Sequence, residues 1–278
     1  MNMKRDLGTL RFFLVKKTVV SYQGQTKGAF MRLKGKTAIV TGGASGFGEG
    51  IVRKFLSEGA RVVIADINLD AANTLADDLG EDAIAINVDV ADGTSVEQLG
   101  KATKKIFDRI DIIINNAGVT HLPAALDEVS EEDFDRVFRV NCKSVYLMAK
   151  TFIPDMKAQN AGVILNIAST AGISPRPNLN WYNSSKGWMN TATKTMAVEL
   201  APFGIRVNAV NPVAGETPLL ASFMGEDTPE LRQKFISTIP LGRFSTPEDI
   251  ANASCYLCSD EASMVTGVWM EVDGGRVI

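Results

Sequence analysis

Tyr182 and Lys186 stand four residues apart in Tyr182-Asn183-Ser184-Ser185-Lys186, 13 residues after Ser169, which ends the apolar run Val163-Ile164-Leu165-Asn166-Ile167-Ala168-Ser169. Residues four apart share one helical face, so an ammonium here can sit beside a phenol and favour its ionised form. Bringing a tyrosine from a pKa near ~10 to about 7 takes roughly 4 kcal/mol of preferential stabilisation of the phenolate. Such a pair can move a proton on and off an alcohol oxygen. The spacing recurs at Tyr146 and Lys150, but no apolar run ending in a hydroxyl precedes that copy, and Tyr146 reads as a tyrosine on a long structural helix. Ser169 ends what reads as a buried parallel strand, and the carboxyl ends of such strands are where α/β sheets hold ligands.

The elements that must position these groups begin at Lys36. Short, apolar, β-branched runs predict strands at Thr37–Thr41, Arg61–Asp66, Ala83–Val88, Asp111–Asn115, Val163–Ser169, Arg206–Asn211 and Val268–Val272. Helical stretches lie between them, for example Phe47–Glu58, Ser95–Asp108, Glu131–Phe152 and Trp181–Leu200. That alternation specifies a doubly wound, Rossmann-type α/β fold: a seven-stranded parallel sheet with helices on both faces, in one domain. The first strand runs into Thr41-Gly42-Gly43-Ala44-Ser45-Gly46-Phe47-Gly48 and then a helix. Glycines at 42, 46 and 48 let the backbone turn tightly and approach a pyrophosphate at the helix amino end. Asp66 ends the second strand 18 residues after Gly48, close to where a carboxylate meets the adenosine ribose.

With 278 residues, 45% of them hydrophobic and 22% charged, the chain can bury one large core. Its formal charge of −3 is uneven. Residues 1–30 hold six Lys/Arg against Asp6, a surplus of +5, which leaves −8 over residues 31–278. An acidic body argues against nucleic acid or an anionic membrane as partner. Residues 1–30 read as a basic extension, either mobile or lying ahead of a start at Met31; their apolar segments are too short to span a bilayer or serve as a secretory signal. Residues 31–278 read as the one domain that would carry the candidate catalytic groups. Cys142, Cys255 and Cys258 build no disulfide framework, and reduced thiols fit a cytoplasmic protein. Cys255 and Cys258 have metal-like spacing without a second ligand pair, so they read as buried packing and no metal is expected. The single histidine, His121, reads as a solvated loop residue.

Taken together these residues resemble the short-chain dehydrogenase/reductase family, in its branch with Thr-Gly-x-x-x-Gly-x-Gly and Asn-Asn-Ala-Gly motifs. The likeness covers about residues 33 to 275. It runs through the glycine turn, Asp89-Val90, Asn115-Asn116-Ala117-Gly118, Asn141, Ser169, Tyr182, Lys186 and Val272-Asp273-Gly274-Gly275. The resemblance implies that Tyr182 is the general acid/base, that Ser169 hydrogen-bonds the substrate oxygen, and that Lys186 binds the nicotinamide ribose while lowering the tyrosine pKa. Asn141 would hold a water linking Lys186 to solvent; its plainer reading is a helix asparagine satisfying nearby backbone. Coenzyme contacts are implied for Gly42, Ser45, Gly46, Phe47, Gly48, Asp66 and Ile67. They are implied also for Asp89 and Val90 beside the adenine, and for Asn116, Ala117, Gly118, Tyr182, Lys186 and Pro212. Thr217 aligns with the threonine that bonds the carboxamide. Valine at 213 replaces the family's usual glycine, and valine adopts left-handed conformations only at a cost, so the backbone there is expected to differ.

The coenzyme expected is NAD(H) rather than NADP(H), because Asp66 would face the 2′-phosphate and because Ser45 and Ile67 occupy the places where a compensating base would sit. The segment Leu219 to Leu241 reads as an apolar lid over a small or moderately apolar alcohol or ketone. A 3-oxoacyl-carrier-protein reductase and a sugar 1-dehydrogenase are alternatives, although an acidic body offers an acidic carrier no basic landing site beyond Arg176. A catalytically silent nucleotide sensor is the alternative of another class. The resemblance implies a homotetramer. Phe134, Phe138, Met148, Trp188, Met189 and Met196 could serve either that assembly or the core.

Overall fold

The computed structural model describes residues 31–278, and the expected basic extension over 1–30 lies outside the described residues. Strand and helix alternate as β1 (Thr37–Thr41), α1 (Gly46–Ser57), β2 (Arg61–Asp66), α2 (Leu69–Leu79), β3 (Ala83–Asn87), α3 (Gly93–Ile106) and β4 (Ile112–Asn115). The second half runs α4 (Glu131–Phe138), α5 (Ser144–Gln159), β5 (Gly162–Ile167), α6 (Asn180–Leu200) and β6 (Ile205–Pro212). It ends with α7 (Leu219–Met224), α8 (Pro229–Ile236), α9 (Pro247–Cys258) and β7 (Trp269–Val272). The sheet order is β3-β2-β1-β4-β5-β6-β7 with every pairing parallel. The order reverses between β1 and β4, which opens a crevice beyond their carboxyl ends.

Period-two alternation divides the apolar strands between two cores. Val40, Ile64, Ile114 and Leu165 pack with Ile51, Phe55 and Leu257 on one face, while Ile39, Val63, Ile113 and Ile164 pack with Leu99, Phe152 and Leu200 on the other. The first of these faces anchors the glycine turn, because α1 lies close against α9. At the crossing, a Cβ on Gly50 would come within 2.7 Å of both Cβ and the carbonyl oxygen of Pro247. Gly50→Ala should therefore force the two helices apart and lower stability by about 1–3 kcal/mol, the usual cost of overpacking, read as a fall in denaturant midpoint; an unchanged midpoint would mean that α9 yields freely.

Three local expectations need correction. The helix expected to run unbroken from Glu131 to Phe152 is split by a π-helical turn at Arg139–Lys143. The strand expected to end at Ser169 ends at Ile167, and Ser169 instead caps the 3₁₀ turn Thr170–Gly172, accepting the Ala171 N–H at 3.1 Å. His121 is not solvated: it is 1% exposed, with Nδ1 paired to the Leu122 carbonyl at 2.8 Å, because the chain leaving β4 folds inward. The cysteines are free and buried. No helix among the described residues is long and apolar enough to cross a membrane.

Candidate active site

The crevice is a cleft of about 480 Å³. Its floor is built by tying two turns together. Thr41 Oγ1 donates to the Ile114 carbonyl and accepts the N–H groups of Asn116 (3.0 Å) and Ala117 (3.2 Å). Asn116 Nδ2 returns bonds to the carbonyls of Thr41 and Gly42 at 2.9 and 3.0 Å. So close a seat explains two glycines. Gly42 has φ +60, and a Cβ there would lie 2.9 Å from Ala117 Cα; one on Gly48 would meet Asn116 Nδ2 at 2.7 Å and overlap the Gly42 carbonyl. Gly48 thus permits the helix to pack on the turn and does not itself line the cleft, while Gly42, Ser45, Gly46 and Phe47 do.

The other coenzyme positions gather round the same space. Asp66, Ile67, Asp89, Val90, Asn116, Ala117, Gly118, Pro212 and Thr217 all line the cleft. Thr217 is brought against the glycine turn, 3.2 Å from where a Cβ on Gly46 would be. Asp66 is held rigidly: Oδ2 accepts the Ala44 N–H at 3.0 Å and Oδ1 the Asn68 N–H at 2.9 Å. Ser45, the N-cap of α1, makes no side-chain capping bond, so the helix amino end is free for a phosphate. These residues fit a dinucleotide. Val213 meets no left-handed requirement, since Asn160 and Asn178 are the non-glycine residues with positive φ among those described. It is buried instead, packing with Leu220, Ile239 and Phe244 beside residues of α7 and α8.

Ser169, Tyr182 and Lys186 line the cleft where its floor meets α6. A buried amide ladder fixes this register: Asn115 donates to Asn166 at 2.8 Å, and Asn166 to Thr193 of α6 at 2.8 Å. The Ser169 N–H is held by Asn211 at 3.0 Å. Burial pushes the Tyr182 phenol up, while the Ser169 hydroxyl, placed to hydrogen-bond it, and the charge of Arg176 draw it back. Lys186 lies 5.9 Å from the Tyr182 ring centre and donates a hydrogen bond to the Ile167 carbonyl at 2.9 Å; burial pulls its ammonium down to about 8. The charge of Arg176 thus adds to the phenol's surroundings a cationic influence that helical spacing does not announce.

Asn141 stands behind the cleft rather than in it. The π-turn directs it to Val119, whose N–H and carbonyl it binds at 2.9 Å each, and to Ser185 Oγ at 2.9 Å. Its Oδ1 and Lys186 Nζ flank the same side of Gly118. Tyr146 is 55% exposed and takes no part. Sequence reasoning missed two roles. The Thr41 hydroxyl as the tie between turns was legible only as the first letter of a motif. Arg176, held between Pro175 and Pro177, sends its side chain 47 positions along the chain to α7, a pairing that local spacing does not announce.

Comparison with known proteins agrees with this geometry. Residues 42–276 match the family described as enoyl-(acyl carrier protein) reductase. The chain is 47% identical to 4-formylbenzenesulfonate dehydrogenase of Comamonas testosteroni, over 89% of this chain and all of that protein. It is 40% identical to the 3-oxoacyl-(acyl-carrier-protein) reductase of Thermotoga maritima, again over 89% of this chain and all of the relative. Among solved structures, the 3-ketoacyl-(acyl-carrier-protein) reductase of Brucella melitensis in complex with NADH superposes with a TM-score of 0.84 at 47% identity, covering 88% of this chain and all of that one. The chain belongs to the short-chain dehydrogenase/reductase family, NAD(P)-dependent oxidoreductases that act on alcohol and carbonyl groups.

Proposed function

We propose that this protein is an NAD(H)-linked dehydrogenase/reductase whose substrate carries a secondary alcohol or carbonyl on a moderately apolar, ring-sized body. The observation that carries the reading is the meeting of Ser169, Tyr182 and Lys186 in one cleft with a glycine turn and a fixed Asp66. The bound nicotinamide supplies or accepts the hydride at the substrate carbon. Everything else falls to the chain. Ser169 hydrogen-bonds the substrate oxygen and orients it, and Tyr182 gives that oxygen a proton in reduction or takes one in oxidation. Lys186, buried and donating to Ile167, holds the ribose side of the nicotinamide pocket. Asn141 keeps the Val119 loop and Ser185 in place, and its Oδ1 lies on the same side of Gly118 as the Lys186 ammonium, where a water between the two would sit.

Apolar walls support the substrate class, since Leu219, Leu220 and Phe223 line the cleft mouth and Phe223 packs edge-on to Tyr182 at 5.5 Å. The relative at 47% identity acts, by its name, on 4-formylbenzenesulfonate, a ring bearing a carbonyl. A second reading, 3-oxoacyl-carrier-protein reduction, draws support from the NADH complex at the same identity. A spectrophotometric panel of aryl aldehydes, ketones, sugars, steroids and 3-oxoacyl thioesters with both coenzymes separates these, and absence of turnover with every carbonyl would leave the silent sensor.

We further propose a homotetramer that does not depend on residues 1–30. Met148 and Met189 are taken up by the core, but Phe134 and Phe138 stack at 4.7 Å beside Trp181, and Trp188 is 40% exposed. Such an aromatic surface suits an interface. A chain starting at Met31 should sediment as the full-length protein does and keep its activity; a truncated protein that runs as a monomer or fails to fold would refute this.

A further inference from the structure

Arg176, whose charge reaches the Tyr182 phenol, has an environment that this influence and its packing leave partly unexplained. Pro175 and Pro177 flank it and stiffen its loop, and its carbonyl is held by Asn183 Nδ2 at 2.8 Å. The guanidinium stacks on Phe223 (4.0 Å) and Phe235 (5.0 Å) and donates to the Phe223 carbonyl on α7. Its Nε is buried with no acceptor. No carboxylate pairs with it among the described residues.

Burial lowers this guanidinium to about 10, and the like charge of Arg276 adds to the effect. Arg276 too lacks an ion-pair partner there, since nearby Asp273 spends its carboxylate on the N–H groups of Gly275 and Val277. Two cations without an ion-pair partner among the described residues therefore lie near enough to feel each other in a body that is otherwise acidic. Aromatic stacking and one carbonyl offset part of the cost of burying this charge, and they leave its Nε without an acceptor. An unpaired donor on a half-buried cation is what an anionic group would satisfy.

We propose that Arg176 is a specificity-determining residue that receives an anionic substituent, a carboxylate or sulfonate, on the end of the substrate remote from the reacting oxygen. The inference rests on the reading of the cleft as a carbonyl/alcohol site. Phe223 stands at the cleft mouth with Arg176 behind it, so binding requires α7 to lift and the anion to take the Nε edge of the guanidinium.

The test is calorimetric titration of the NADH-loaded enzyme with benzoate and with benzamide, its neutral counterpart, followed by turnover of 4-formylbenzoate and its methyl ester. Benzoate should bind at least about tenfold more tightly, the scale of one charge-assisted hydrogen bond. The ratio of kcat/KM for acid over ester should be of the same order, and both preferences should collapse towards one in Arg176→Gln. Arg176→Lys should recover part of them. Benzamide binding as well as benzoate to the wild type, no measurable benzoate binding, or equal losses for acid and ester in Arg176→Gln would each overturn the assignment; the last outcome would leave Arg176 a lid latch. A benzoate preference without turnover of any carbonyl would sink the oxidoreductase reading and leave the anion site standing.

Discussion

Replacing Tyr182 with phenylalanine should lower turnover by at least ~10²-fold while coenzyme affinity and folding stay as in the wild type. The magnitude is that of losing a positioned general acid/base. The selectivity follows from the surroundings: the Tyr182 ring, 6% exposed, packs among Ala171, Leu179 and Phe223, and phenylalanine preserves those contacts while removing only the hydroxyl. A pH profile sharpens the prediction. Oxidation of an alcohol needs the phenolate, so wild-type kcat/KM in that direction should rise with pH as the phenol gives up its proton. The residual activity of Tyr182→Phe should lose that rise. Tyr146→Phe, on the exposed side of α5, should change little. Equal loss in the two variants, or full activity in Tyr182→Phe, would remove Tyr182 from the proton-transfer role.

Asp66 should decide the coenzyme. At ~4 Å and an effective dielectric of 20, a carboxylate and one phosphate charge repel by about 4 kcal/mol before solvent and side-chain movement reduce it, and half of that is already more than tenfold. In many sites such a carboxylate could swing aside. Here both oxygens are committed to the N–H groups of Ala44 and Asn68, so turning away would leave two backbone donors unpaired. We expect kcat/KM at least tenfold higher with NADH than with NADPH, and an Asp66→Ala ratio shifted towards NADPH by a similar factor. A wild-type enzyme that works better with NADPH would refute the assignment and favour the acyl-carrier reading.

The strand-helix order and the strand boundaries could be read to within a residue or two because each strand is an apolar run of ordinary length and each helix is set off by turn residues. The reading failed where a backbone feature depends on distant packing. The π-turn at Arg139–Lys143 leaves no mark on periodicity, and it carries Asn141, which bonds Val119, 22 positions back. His121 is buried by the path of its own loop, and Val213 occupies what the family pattern gives as glycine without strain, because the chain keeps ordinary φ there and packs the side chain with Leu220, Ile239 and Phe244.

By itself the sequence determined which groups are present and in what order along the chain: a hydroxyl after β5, a phenol and an amine four apart on α6, a glycine turn after β1 and a carboxylate ending β2. Those are local facts, set by residue type and by the pitch of a helix or the alternation of a strand. Only the tertiary structure decided which way each group points and what it feels. Lys186 shares a helical face with Tyr182, and its ammonium also donates to the Ile167 carbonyl, while a further positive charge felt by the phenol comes from Arg176, a loop residue between two prolines that reaches across to α7. Spacing fixes neighbours along one helix, but the field at a buried oxygen is the sum over every element packed around it, and that sum exists only once the chain has folded.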